Sequence, residues 1–588
     1  PAFAANLTST LDLQAGVGKP TFTRATTASV TDFEGVIRQA KSGEARFEGA
    51  RRVENLLTYS QEFDNAAWSR SGVTVIANVT TAPDGTMTAD KIVETTLTGN
   101  HKFSMSPASS YDNKTNTLSI YIKPSERNKV MLLLLDDDLT SSLVSALYDL
   151  SASGSVSFRS GGTTAGVSAV GNGWFRLTFT GIPNVSGTGG LVQFQLRLLD
   201  SNGTQSYTGD GTSGLYVWGA QLENVTGQSV QTVGEYVSTN VLTSAPYHGA
   251  NVDGVKYFTT KLDGSAIPDA TLKGYLAEGQ RTNLVTYSEQ FDNAAWVKMR
   301  LNSSGTPAYT NLITAPDGTM TADALIADTV NGAHYYKYNS TVGANVYTSS
   351  AFVKAGSKNS VAIQCGSLTG YTIALFNLSN GTIVEKRKNG SVDPSVNANI
   401  KYINNGWYQI SVTSDVLVAS SQVALALYAA TNAGDINSAI QYIGDNNTIE
   451  LYIWGAQLEQ ASFASSYIPT TSATVTRNED VLTYPWGLPT NGSAYVEAMV
   501  NNTVTANWGF ISKITTIWPL GMYSSISVRM RTSSQAPTLD APGAFETGIR
   551  KVSSRWEATK STMNIFKDGL AGTEVSYDGS FNSGSYRS

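Results

Sequence analysis

The chain has 588 residues, enough for three or four domains at about 150 residues each, with a formal net charge of −6 and only 15% charged residues. This charge and the lack of Lys/Arg clusters argue against nucleic acid as a partner. No apolar run reaches the length of about 18 residues that a membrane span needs, so we expect no membrane insertion. The single cysteine, Cys365, excludes an intrachain disulfide framework.

Residues 1–54 are predicted to form a β-hairpin lead-in or attachment segment. The first residues lack the basic start and long apolar core of a secretory signal, and the chain does not begin with Met. We therefore expect a trimmed chain or part of a longer product, assembled in a reducing cytoplasm and released by lysis.

Residues 55–235 are predicted to form a β-sandwich of the jelly-roll kind. Segments 117–123, 174–179 and 192–198 alternate with the period of a half-buried strand. Turn sequences rich in Gly, Asn and Asp recur between them, and no long stretch carries a capped helical period. Short strands at this spacing are typical of an all-β jelly roll.

The first module is then repeated. The motif Asn-Leu-Leu-Thr-Tyr-Ser at 55–60 returns as Asn-Leu-Val-Thr-Tyr-Ser at 283–288. Other segments that match in the same order are 63–68 with 291–296, 81–90 with 314–323, 173–174 with 406–407, and 215–223 with 451–459. They indicate a duplicate module at 283–470, joined to the first by a linker hairpin segment at 236–282. Such repetition favours binding through several copies, or building something long, over a single catalytic pocket.

Residues 471–588 are predicted to form a third, lectin-like β-sandwich. Segments 495–500 and 525–530 alternate as strands, and 563–569 reads as a strand that enters an Asp-Gly turn. The tail at 572–588 holds no closing apolar strand, so we expect this sandwich to be incomplete or to borrow a strand from a neighbour.

Aromatic residues are the first candidates for sugar contacts. Six of the ten tryptophans recur in matched pairs, and a core role is favoured over sugar stacking because they sit within the repeated framework. On the strand through Trp218, we expect Tyr216, Trp218, Ala220 and Leu222 to share the inward face. Trp518 precedes Pro519 in a segment predicted as a loop, where exposure is an open alternative.

Polar residues in matched loops are the second group. His101 and His334 follow turns, where a surface strand residue is favoured over a ligand contact, and no further ligands at zinc spacing lie nearby. Asp210 and Asp445 fit either a loop turn or a Ca²⁺ or sugar ligand. The candidate carbohydrate-binding residues are His101, Tyr207, Asp210, His334, Tyr442, Asp445 and Trp518. No other cofactor is predicted.

Catalytic signals are weak, and the chain is not predicted to be an enzyme. It holds no Gly-x-Ser-x-Gly elbow with a workable His, no His-Glu-x-x-His and no phosphate-binding Gly loop. A carboxylate pair for glycoside cleavage needs only spatial proximity, and Glu497 is the kind of residue it would use. The acidic run 136–138 fits a solvated strand end better than a metal site, since the second copy has Ser367 there.

These motifs resemble a known group of proteins. The segment 22–26, the Asn-Leu and Phe-Asp-Asn-Ala-Ala-Trp blocks, Thr-Ala-Pro-Asp-Gly-Thr and Trp-Gly-Ala-Gln-Leu-Glu are similar to modules of tailed-phage head-spike or tail-fibre proteins. Those modules resemble carbohydrate-binding jelly rolls, and the region after the exit at 467–477 resembles a concanavalin A/laminin-G sandwich. The resemblance transfers no catalytic residue.

The resemblance implies a virion surface fibre or spike that attaches to host surface polysaccharide. Other virion proteins are the expected further partners, and a homotrimer is the expected assembly. Such a protein is assembled in the host cytoplasm and acts outside the cell. A purely structural or decoration role without ligand is the alternative, and a polysaccharide depolymerase is a weaker one.

Overall fold

The computed structural model describes residues 4–15, 19–107, 114–136, 142–151, 153–182, 192–241, 249–302, 308–367, 370–415, 421–431 and 434–484, and a set of strands after residue 490. This part of the chain is almost entirely antiparallel β-structure, and its one α-helix is Ile436–Ala439. The prediction of an all-β fold with tandem sandwiches is confirmed. None of the described helices could cross a membrane.

The first sandwich packs a six-stranded sheet against a seven-stranded sheet. The six strands, in spatial order, are Gly162–Gly171, Trp174–Gly181, Asn116–Pro124, Gly214–Asn224, Ala89–Glu94 and Val73–Thr80. The seven strands are Ser155–Ser160, Ser142–Asp149, Lys129–Asp136, Val192–Leu198 and Thr98–Met105, which pairs with both Ser206–Thr208 and Ser69–Ser71. Between the sheets, Leu118, Leu132 and Leu196 are fully buried in one apolar core.

The second sandwich repeats this plan. Its five-stranded sheet orders Asp323–Leu325, Leu451–Glu459, Thr348–Ala355, Trp407–Thr413 and Ala398–Tyr402. Its seven-stranded sheet orders Val297–Met299, Tyr335–Val342, Ser421–Ala430, Ser360–Gly366, Tyr371–Asn377, Thr382–Lys388 and Ser391–Val392. Gly332–Ala333 pairs with Gln441–Tyr442 beside them.

A β-bulge makes one face prediction wrong. Leu215, Ala220 and Leu222 lie in the core between the sheets, whereas Tyr216 and Trp218 lie on the opposite face. The pairing register shifts there, and Gly219 has a φ of 61°. The extra residue of a bulge reverses the side-chain alternation, so simple period-two counting fails past this point.

The segments before, between and after the sandwiches meet in one small β-structure, here called the junction body. Its paired strands are Ala4–Ala5 with Leu13–Ala15, Ala28–Thr31 with Ile37–Ala40, Phe47–Glu48 with Gly274–Tyr275, and Thr21–Thr23 with Val481–Tyr484, which also pairs with Tyr586–Arg587. Phe22, Phe47, Tyr257 and Leu482 share its apolar core. Residues distant in sequence therefore form one unit.

The chain leaves the junction body through one strand, forms a sandwich, and returns as a second strand that pairs with the first. Arg51–Glu54 leads into the first sandwich, and Val255–Phe258 pairs with it after the chain returns. Arg281–Asn283 leads into the second, and Val475–Arg477 pairs with it in the same way. Each sandwich is thus inserted between two paired strands, which we call its stem.

A buried ionic network joins the stem of the second sandwich to the first segment of the chain. Asp480 accepts from Arg24 at 2.8 Å and also contacts Arg46. Glu278 contacts Arg46 at 2.9 Å and Arg477 at 2.7 Å. The side chains of Arg24, Arg46 and Asp480 are wholly buried. Each of these charges is therefore compensated by its ion-pair partners and not by water.

The C-terminal region forms two further antiparallel sheets. One contains Asn491–Val500, Gly548–Glu557, Thr562–Lys567, Leu570–Ala571 and Val575–Ser576. The other contains Trp508–Ile511, Trp518–Ser524, Ser527–Arg531 and Thr538–Asp540. The expected loop around Trp518 is therefore wrong from that residue onward, since its backbone starts a strand; its side chain lies outside the described part of the structure.

Candidate functional site

The six repeated tryptophans belong to the framework. Each is at most 4% exposed, which leaves no ring face for a sugar. Their indole N–H groups all donate to repeated motif residues: Trp68 to Tyr59, Trp296 to Tyr287, Trp174 to Thr81, Trp407 to Thr314, Trp218 to Thr88, and Trp454 to Thr321. The two copies share these motifs because the tryptophans and their acceptors hold the loops on the sheets.

The loop aspartates are occupied by their own turns. The carboxylate of Asp210 accepts from the backbone N–H of Thr212 and Ser213 and from the Ser213 hydroxyl, at 2.6 to 2.8 Å. Asp445 does the same with Asn447 and Thr448, and these hydrogen bonds, the Thr448 hydroxyl first, lower the pKa of Asp445 to about 2. This geometry matches the turn alternative. The described residues contain no group of three or more metal-ligating side chains.

The predicted polar residues of the first sandwich come together around a carboxylate that sequence analysis missed. The rings of His101 and Tyr207 lie 4.4 Å apart, and the Tyr207 hydroxyl donates to Glu94 at 2.7 Å. Arg127 forms two hydrogen bonds with the same carboxylate, at 2.6 and 2.8 Å, and lies 5.3 Å from the Tyr207 ring centre. The backbone N–H of Asp210 donates to Glu94 at 3.0 Å. We call this group the end cluster.

The second sandwich builds the same end cluster with a carboxylate from another segment, directly before the strand Leu451–Glu459. His334 and Tyr442 lie 4.6 Å apart, the Tyr442 hydroxyl donates to Glu450, and Lys358 lies 5.0 Å from the Tyr442 ring centre. The strand registers place Ala327 where the first copy has Glu94, and Glu450 where it has Gly214. The second copy lacks a glutamate at the position of Glu94 but has Glu450 on the neighbouring segment. The tyrosine hydroxyl therefore has a carboxylate acceptor in both copies.

The pKa values of the two carboxylates are shifted in opposite directions. Burial alone would raise the pKa of Glu94, but its hydrogen bonds with Arg127 and Tyr207 outweigh burial and leave it lowered. Burial raises the pKa of Glu450, because Tyr442 and the more distant Lys358 compensate less. The bidentate guanidinium accounts for the contrast.

The histidines are buried, which corrects the expectation of surface strand residues. His101 and His334 are both 0% exposed. His101 Nδ1 lies 2.6 Å from the carbonyl oxygen of Gly72, and Nε2 lies 3.2 Å from that of Tyr207. His334 makes the same contacts with Arg300 and Tyr442. Both ring nitrogens therefore serve the framework, and Tyr207 and Tyr442, which are half-buried, form the accessible side of each cluster.

A second candidate surface lies on the outer face of each seven-stranded sheet. In the second sandwich, the rings of Tyr335 and Tyr428 lie 4.8 Å apart, and the Tyr428 hydroxyl donates to Gln364 at 2.9 Å. Lys337 lies two residues beyond Tyr335 on the same strand and therefore the same face. These four side chains are half-buried, so they combine ring faces, an amide and a cation within reach of a ligand.

The first sandwich presents different chemistry at the matching positions. Lys102 and Arg197 form the cross-strand pair that corresponds to Tyr335 and Tyr428. Arg197 donates to Gln205 at 2.6 Å and also contacts Gln195. The alternation at 192–198 was a usable signal, because it places Gln195 and Arg197 on the face opposite the core. Of these two, Arg197 is half-buried and Gln195 is fully buried. The acidic run at 136–138 lies outside the described side chains.

Comparisons with known proteins add little. No family model matches the sequence, and no curated protein matches it. Among solved structures, the chain is similar to domains LG4-5 of the mouse laminin alpha1 chain at 8% identity and a TM-score of 0.12, over 65% of this chain and 92% of that one. A superposition with that score does not define a shared fold. The fold described above follows from the strands and their pairing alone.

Proposed function

We propose that this chain is a surface subunit of a tailed-phage virion, a head or tail fibre or spike, that holds host surface carbohydrate without cleaving it. The ordered motif set supports the phage assignment, and the duplication supports binding through repeated modules. The protein would be assembled in the host cytoplasm and would act outside the cell, anchored to other virion proteins.

The observation that carries the binding proposal is the half-buried group on the second sandwich. Tyr335 and Tyr428 offer ring faces to the C–H surface of a sugar, while Gln364 and Lys337 offer donors to its hydroxyls. Binding sites of this kind combine aromatic side chains with a few placed polar groups. On the first sandwich, Lys102 and Arg197 would favour an acidic sugar instead. The predicted contacts at Tyr207, Tyr442, Asp210, Asp445 and Trp518 remain predictions.

Multivalency would supply the affinity. Each chain carries two modules, and the homotrimer that we propose would carry six. Tethered sites raise the effective concentration of a second contact to about the millimolar range for short flexible links. Weak single-sugar contacts are then sufficient.

A purely structural role is the second candidate. It is favoured by the six buried tryptophans and by the two aspartates that are satisfied within their own loops. On this alternative, the repeated motifs serve folding alone and the sandwiches act as spacers.

The test is a glycan array and host-cell binding assay on the purified assembly, with and without EDTA, that also monitors polysaccharide breakdown. We expect saturable binding without breakdown, and loss of binding on replacing Tyr335 and Tyr428 with Ala. Tyr402→Ala is the matched control, because Tyr402 is an exposed tyrosine on the other sheet of the same sandwich. Binding that survives the double change would contradict the sheet-face site. No binding at all would favour the structural role, and breakdown would favour a depolymerase.

A further inference from the structure

One hairpin of the junction body covers a face of the second sandwich. This hairpin consists of Ala28–Thr31 and Ile37–Ala40, and the backbone N–H of Ile37 donates to the Pro316 carbonyl oxygen at 2.9 Å. The Ile37 side chain packs on the apolar group that contains Trp407. We call this the covered face. The hairpin approaches it closely, since a Cβ at Gly35 would lie 2.3 Å from the carbonyl oxygen of Ile403.

The same hairpin brings the two sandwiches into contact. Arg38 donates to the carbonyl oxygen of Thr226 at 2.7 Å, and Glu34 accepts from the backbone N–H of Ser229 at 2.9 Å. Next to these contacts, a Cβ on Gly227 would lie 2.7 Å from the Cα of Gly318. Two backbones meet there without side chains between them.

The first sandwich carries the same face without a cover. Val170, which corresponds to Ile403, is 43% exposed. Pro83 is half-buried where Pro316 is buried, and a Cβ on Gly85 would meet nothing within 4 Å, in contrast to Gly318. Trp174 lies beneath, as Trp407 does in the second copy. We call this the open face, and no described residue occupies the place of Ile37 on it.

The chain also carries a second hairpin turn that is free. In residues 260–266, the N–H of Lys261 donates to the Ser265 carbonyl at 2.8 Å and that of Gly264 to the Lys261 carbonyl at 3.1 Å. Asp32, Gly35 and Val36 form the same two bonds in the covering hairpin, at 2.9 and 3.1 Å. Gly264 has a φ of 82°, against 81° at Gly35. Residues 263–266 are exposed, and a Cβ on Gly264 would meet nothing within 4 Å.

We propose that the turn at 260–266 of one copy of this chain docks on the open face of a second copy. In the described part of one chain, neither the turn at 260–266 nor the open face has a partner. Their counterparts, the covering hairpin and the covered face, already pack on each other within the chain. The contact joins unlike surfaces, so copies add head to tail and either close into a ring or continue as a filament. Ala266 takes the place of Ile37, so each contact buries less apolar surface than the internal one.

This interface would supply the copies that multivalent binding needs, but the inference rests on contacts and not on carbohydrate. Its test is a disulfide trap between two differently tagged chains, one with Ala266→Cys and one with Val170→Cys. These positions correspond to Ile37 and Ile403, which both pack against the same apolar group in the covered face. The natural Cys365 is buried and free, so it should not compete. After mild oxidation we expect dimers with one chain of each kind.

The matched control replaces Val170→Cys by Val392→Cys, at a residue that is 60% exposed on the second sandwich. A yield of mixed dimers no greater than in this control would overturn the proposal. Sedimentation velocity of chains with Val170→Arg or Val392→Arg is the second measurement. We expect only Val170→Arg to lower the average mass to that of one chain, and an unchanged mass would also overturn the proposal.

Discussion

The hydroxyl of Tyr467 donates a hydrogen bond to Glu289 at 3.0 Å. Burial, together with the nearby charge of Asp317, raises the pKa of Glu289 to about 7. The first sandwich has Gln61 at the matching position, after Ser60 as Glu289 follows Ser288. The chain thus contains its own neutral version of this contact.

We therefore expect Glu289→Gln to stabilise the protein at pH 8 and to have little effect at pH 5. A carboxyl whose folded pKa is raised contributes stability that is full below its unfolded pKa and is lost as the pH rises through about 7. The gain at pH 8 should be about 1 to 3 kcal/mol in the free energy of unfolding. Urea denaturation at both pH values measures it. Equal effects at the two pH values would contradict the assignment.

The repeated asparagine at the entry to each sandwich should be costly to remove. Asn55 donates to the carbonyl oxygens of Ala220 and Val237, and its own oxygen accepts from Leu57 and Leu222. Asn55→Ala would leave these buried backbone groups unpaired, at about 1 to 3 kcal/mol. Thermal unfolding checks this, with Asn202→Ala at an exposed turn as the control. If both variants unfold at the same temperature, the bonds contribute nothing.

The bulge glycine should tolerate no side chain. A Cβ at Gly219 would lie 3.0 Å from the Tyr121 ring, and one at Gly455 would lie 2.9 Å from the Phe352 ring. Gly43 also has a positive φ, 74°, but its Cβ would meet only Val252 at 3.6 Å. Alanine at Gly219 should therefore destabilise more than alanine at Gly43, which isolates the backbone cost of about 1 kcal/mol. Chemical denaturation of both variants decides whether the ring contact matters.

The ionic network of the junction body should be sensitive to the loss of one partner. Asp480→Asn would leave Arg24 and Arg46 buried without their shared carboxylate, and we expect a loss of about 3 to 5 kcal/mol. Lys401→Met, at the half-exposed pair with Glu48, should change stability by about 1 kcal/mol or less. Limited proteolysis and chemical denaturation of the Asp480→Asn and Lys401→Met variants measure the two losses of stability. A mild effect at Asp480 would contradict the dependence of the two buried arginines on this carboxylate.

Much of the fold was predictable from alternation and repetition, since strands such as Trp174–Gly181 and Val192–Leu198 carry clear period-two patterns. The direction of Trp218 was not, because the bulge at Gly219 depends on a positive φ that the motif does not reveal. The junction body was also beyond sequence reasoning. Its pairs, such as Phe47 with Tyr275, join residues that only the return of the chain brings together.

The candidate site was predicted in part. His101, Tyr207 and Asp210 do lie together, but the carboxylate that organises them was missed because Glu94 and Glu450 stand at unmatched positions of the repeat. A comparison of the two copies finds residues that are identical at matched positions. It does not find a glutamate that plays the same part from a different position in each copy. The outer sheet faces were missed for the opposite reason, since their side chains differ between copies.

The paired stems have a mechanical consequence. Tension along the chain can pass from Arg51–Glu54 to Val255–Phe258 through the hydrogen bonds between these strands, which bypass the first sandwich. In the second sandwich, the hydrogen bonds between Arg281–Asn283 and Val475–Arg477 carry the tension past the sandwich in the same way. Under load, the stems and the junction body would yield first, and the sandwiches would stay folded until their stems had opened.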